Sequence, residues 1–100
     1  MLKKQIARLS EMGFDATMAT ELEFFLFEKS FEEISKGGFR DLTPISAYNE
    51  DYHILQTTKE EAIMRPLRNH LFAAGIPVEN TKGEAECGQE ELNIRYGAAL

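Results

Sequence analysis

One hundred residues give a single small domain, and 43% hydrophobic with 28% charged residues is globular composition that excludes a disordered tail. Seventeen acids against eleven bases leave a net charge of -6, with lysines and arginines dispersed, which argues against nucleic acid and anionic membranes as partners. A lone Cys87 excludes an internal disulfide, and no segment has the apolar run of a signal peptide or a membrane span, so the chain reads as soluble and cytoplasmic.

In chain order, Leu2, Ile6 and Leu9 recur at helical spacing, predicting a short amphipathic helix that Gly13 ends. From Asp15 to Glu28 the pattern turns short-period and aromatic and predicts a buried strand over 17–28, containing "TELEFFLFE". Ser30 and Glu33 have capping-box spacing, and "KGG" closes the short helix that follows. Residues 39–56 carry Pro44 and turn formers without a sustained period, which predicts mostly loop with a short extended piece. Thr58 and Glu61 suggest a second capping box, opening a helix over 58–74 with the stripe Ile63, Leu67, Leu71 and Ala74. Pro66 inside it predicts a kink rather than a break. Beyond Pro77, two extended segments bend around Cys87 and Gly88; in the last, Leu92, Ile94 and Tyr96 alternate with Glu91, Asn93 and Arg95. The fold class is α+β: an antiparallel sheet of the 17–28 strand and the two C-terminal segments, with helices on one face and the acids on the other.

Glu21 and Glu23 are the candidate site residues of the first strand. At i and i+2 they share a face about 6.6–6.8 Å apart, where two charges repel by roughly 2.5 kcal/mol at an effective dielectric near 20. Beside buried phenylalanines such a pair calls for a counter-charge, a proton or a metal. A second cluster, "GEAECGQEE", holds Glu84, Glu86, Glu90 and Glu91. Glu84 and Glu91 have opposite parity, but a bend at Cys87 and Gly88 can bring both to one pocket. Carboxylates converging without His or Cys suit Mg²⁺ or Mn²⁺. The plainer reading is that Glu-x-Glu pairs at strand ends are more often solvated than ligating; His53 and His70 read as surface histidines and Cys87 as a turn residue.

"TELEFFLF", then "EDYHILQTTKEE", "MRPLRNHLFAAGIPVENTKGE", "GEAECGQEE" and "ELNIRYGAAL" in order resemble the catalytic domain of the glutamine synthetase family over nearly the whole chain. The resemblance implies an ATP-dependent ligase that joins glutamate to ammonia or an amine, with Mg²⁺ or Mn²⁺ as cofactor and a ring-shaped homo-oligomer as the full-length protein. It implies that Glu21 ligates the cation nearer the nucleotide phosphates, and that Glu23, Glu84 and Glu91 share the other. Cys87 stands where proline is common before the Gly-Gln pair, Glu86 competes with Glu84, and Pro66 is unexpected in the helix. The resemblance covers only the first part of that catalytic domain, so residues 1–100 are expected to be one incomplete domain, inactive alone. The other reading is a non-catalytic acidic binding module that keeps part of the fold.

Overall fold

Alternating side chains near the C-terminus fold back on the aromatic segment to make the sheet. In this computed structural model, which describes residues 1–99, the elements in chain order are α1 (Leu2–Glu11), β1 (Thr17–Phe25), α2 (Phe31–Lys36), α3 (Ile54–Lys59), α4 (Glu61–Ala73), β2 (Val78–Gly83) and β3 (Gln89–Ala98). The three strands form one antiparallel sheet in the order β1-β3-β2, so the α+β class expected from the sequence holds, with β3 central. Register sets which side chains meet. Leu92 lies between Leu22 and Thr81, and Glu90 between Phe24 and Gly83, on the inner face. Glu91 lies between Glu23 and Lys82, and Asn93 between Glu21 and Asn80, on the outer face.

Helices α3 and α4 pack on β2 and on each other. Arg68 of α4 ties the two layers: its guanidinium donates to both carboxylate oxygens of Glu61, at 2.8 and 2.7 Å, and to Thr81 Oγ1 at 2.6 Å. That pairing holds the Glu61 carboxyl below the usual carboxylate range. The helical layer does not reach across the sheet. Leu22, on the inner face of β1, is left 57% exposed, and Ile34, Met64 and Leu92 are the buried apolar side chains among the described residues. The radius of gyration is 17.7 Å, against about 13 Å for a compact domain of this length.

Three expectations change. The strand expected to be buried over 17–28 ends at Phe25, is an edge strand, and exposes every residue but the half-buried Phe24, because α3 and α4 cover β2 instead. The helix expected over 58–74 begins at Ile54 as α3 and restarts at Glu61 as α4. His53 Nδ1 caps α3 by accepting from the Gln56 amide at 3.1 Å, and the Thr58 hydroxyl bonds back to the Ile54 carbonyl at 2.7 Å instead of capping. Amphipathic α1 forms as expected: Ile6 is half-buried, and Leu2 lines a shallow pocket together with Met18 and Thr20 of β1 and Ile94 of β3. The capping box at Ser30 and Glu33 is present in full, and Pro66 leaves α4 continuous. The loop over 39–56 carries a short extended contact: Phe27 bridges Pro44, and the Ile45 amide donates to the Leu26 carbonyl at 3.2 Å.

Candidate metal centre

The outer face of the sheet carries the acids. Glu21 and Glu23 project from β1 two residues apart, and antiparallel pairing sets Glu91 directly across from Glu23. One carboxylate oxygen from each of Glu21, Glu23 and Glu91 lies within 4.8 Å of the others, a separation that a single hard cation can span. Glu21 and Glu23 are exposed, so water screens much of the repulsion expected between them; Glu91 is only 3% exposed. Its Oε1 has no hydrogen-bond partner among the described residues. Glu23 is oriented by Gln89, whose side-chain amide donates to its Oε2 at 2.7 Å.

Glu84 is placed differently. The turn over residues 84–88 resets the parity, so Glu84 reaches Glu91 on the same face, but its closest partner is Lys82, which pairs with it and stands 3.6 Å from Glu91 Oε1. The Lys82 ammonium holds the Glu84 carboxyl below its ordinary range, whereas burial, followed by the bond to Glu84, pushes Glu91 up. The ring of Tyr52 lies 5.6 Å from that ammonium and helps to hold it there. The structure thus joins Glu21, Glu23 and Glu91 in one group and sets Glu84 beside it, neutralised by lysine. Glu86, the rival to Glu84, is exposed and absent from the group. Lys82 went unnoticed in the sequence, although "KGE" already put a base two residues from Glu84 on one strand face.

Gly88 shapes the turn that makes this possible. Its φ is 72°, its amide donates to Ser46 Oγ at 2.6 Å, and its carbonyl accepts from the Leu26 amide at 2.8 Å. A Cβ there would lie 2.7 Å from the Leu26 carbonyl oxygen. Gly88 thereby sutures the end of β1 to the start of β3 and fixes Gln89 near Glu23.

A second acidic group lies on the inner face. Glu50, Glu60 and Glu90 are all buried, and one carboxylate oxygen from each lies within 4.8 Å of the others. Burial first, then the charges of Glu50 and Glu60, push Glu90 up to about 8; burial and Glu50 likewise raise Glu60. The sequence held a signal for this. Extending the apolar parity of Leu92 and Ile94 back by one strand repeat puts Glu90 on the buried face.

The whole chain, residues 1–100, matches the glutamine synthetase catalytic-domain family. It is 41% identical over its full length to a gamma-glutamylethanolamide synthetase, GlnA4, of Streptomyces coelicolor, of which it covers 22%. It is 33% identical to a glutamate–isopropylamine ligase of a Pseudomonas species, again over all of this chain and 22% of the relative. With the glutamine synthetase of Thermus thermophilus the identity is 35%, over all of this chain and 21% of the relative. The chain therefore spans about a fifth of the length of the curated relatives it matches. Among the described residues no helix is long and apolar enough to cross a membrane.

Proposed function

This chain belongs to the glutamine synthetase family, and from that membership we propose that residues 1–100 are the opening, incomplete part of a ligase catalytic domain that supplies glutamate ligands to Mg²⁺ or Mn²⁺. The longer protein would condense glutamate with ammonia or a larger amine at the expense of ATP, in the cytoplasm and as a homo-oligomer. The observation that carries this reading is the convergence of Glu21, Glu23 and Glu91, with one buried oxygen of Glu91 that accepts no hydrogen bond among the described residues. The donor set is all carboxylate oxygen, which fits a hard cation and not a soft one. Leu22, left 57% exposed on the inner face, marks surface that further parts of such a domain would bury.

When bound, a divalent cation would neutralise charge on the oxygens of a transferring phosphoryl group. This chain's part is positional. Glu23 is held by Gln89, Glu91 sits opposite it on the central strand, and Glu21 extends the carboxylate row along the edge. Glu84 would be free to join them as a fourth ligand if it gave up its pairing with Lys82, which is its counter-charge in this structure. The test is equilibrium dialysis of the chain against Mn²⁺, comparing the unsubstituted chain with Glu23→Gln and Glu91→Gln. Each substitution is expected to weaken one class of bound Mn²⁺ at least tenfold; unchanged binding in both would overturn the assignment.

A further inference from the structure

Carboxylates that are buried, charged and unpaired are not stable as such: they take up protons or they hold a cation. On the inner face of the sheet, away from Glu21, Glu23 and Glu91, we propose that Glu50, Glu60 and Glu90 form a second, buried site for a hard divalent cation of Ca²⁺ size. The three come from separate parts of the fold. Glu50 lies in the connection between α2 and α3, Glu60 at the junction of α3 and α4, and Glu90 in β3. Their exposures are 0%, 6% and 1%. Both carboxylate oxygens of Glu50, Oε2 of Glu60 and Oε1 of Glu90 have no hydrogen-bond partner among the described residues. None of the ion pairs among those residues reaches any of the three.

The geometry has room for a cation. Ligand oxygens at Ca²⁺ distances of about 2.3–2.6 Å lie no more than about 5 Å apart across the ion, and the oxygens here are within 4.8 Å of one another. With no nitrogen or sulfur in the set, a hard ion is selected. Enclosure disfavours Mg²⁺, which keeps several waters.

Gly83 is built for this arrangement. It pairs with Glu90 across the sheet, and a Cβ on it would come within 2.5 Å of both Glu50 Cβ and Thr57 Cγ2, so only glycine lets Glu50 reach Glu90. A cation here would brace the loop, the helical layer and the sheet together. It would bind the folded chain in preference to the unfolded one and so raise its stability.

The test is dialysis of the whole chain against radioactive Ca²⁺, with thermal melts in parallel, for the unsubstituted chain, Glu90→Gln, Glu60→Gln and Glu23→Gln. One Ca²⁺ per chain is expected, weakened at least tenfold in Glu90→Gln and Glu60→Gln and retained in Glu23→Gln, with a Ca²⁺-dependent rise in Tm lost in the same two variants. Should Glu90→Gln fail to fold, Glu60→Gln, at the least buried member, decides alone. Bound Ca²⁺ that responds only to Glu23→Gln, or none at all in the unsubstituted chain, would overturn the proposal and leave the outer-face site to its own test.

Discussion

Gly88→Ala tests how firmly the turn before β3 holds the fold. The new methyl group meets three neighbours: the Leu26 carbonyl oxygen at 2.7 Å, Pro44 Cβ at 3.0 Å and the Ile45 amide nitrogen at 3.4 Å. Two of these are backbone atoms and the third a proline ring, so none can swing aside as a flexible side chain would. The φ of 72° adds about 1–2 kcal/mol for a residue with a Cβ, and overpacking adds about 1–3 kcal/mol. The expected loss is therefore about 2–5 kcal/mol, a large share of the 5–15 kcal/mol typical of native domains. Urea unfolding followed by circular dichroism measures it. At a slope of about 1.5 kcal/mol per molar the midpoint should fall by roughly 1–3 M with the slope unchanged. Gly97→Ala is the control, because a Cβ at Gly97 meets nothing within 4 Å. A Gly88→Ala midpoint equal to that of the unsubstituted chain would refute the role given to this turn.

Arg68→Ala should destabilise the chain by about 1–2 kcal/mol, since it removes a two-pronged bond to Glu61 and the tie to Thr81; a double-mutant cycle with Glu61→Ala that shows no coupling would contradict this. Glu33 should titrate below the ordinary glutamate value, because the Ser30 hydroxyl and amide both donate to its carboxylate. The sign follows from its depressed folded-state value: the cap's contribution is full above the ordinary glutamate pKa and is lost as pH falls through the lower folded value. Carbonyl-carbon NMR on the unsubstituted chain and Ser30→Ala would show the shift and its disappearance; equal titration in both would contradict it. The purified chain should form no glutamine or γ-glutamylamide from glutamate, ATP and ammonia or an alkylamine, and measurable product would end the reading of this chain as an incomplete domain.

The sheet could be read from residue spacing because its last strand alternates cleanly, the aromatic run marks another, and the segment after Pro77 leads back to them. Depth could not. "TELEFFLFE" looks like a core strand, but a strand's burial depends on which side its neighbours lie, and β1 is at the edge with α3 and α4 packed on the other side. The helix start was misplaced for a local reason: Thr58 and Glu61 have capping-box spacing, yet His53 supplies the cap one turn earlier. In the candidate centre, Glu21 and Glu23 share a face by strand periodicity alone, and Glu91 meets them through the register. The lysine beside Glu84 and the grouping of Glu50, Glu60 and Glu90 depend on pairings distant in sequence. Only the parity of Glu90 hinted at the latter.

The most direct measurement of the central claim is the anomalous signal of Mn²⁺ soaked into crystals of the chain. A peak about 2.2 Å from carboxylate oxygens of Glu23 and Glu91, with Glu21 adjacent, is the predicted result. Crystals that show Mn²⁺ elsewhere, or no peak between those strands at saturating metal, would contradict the account.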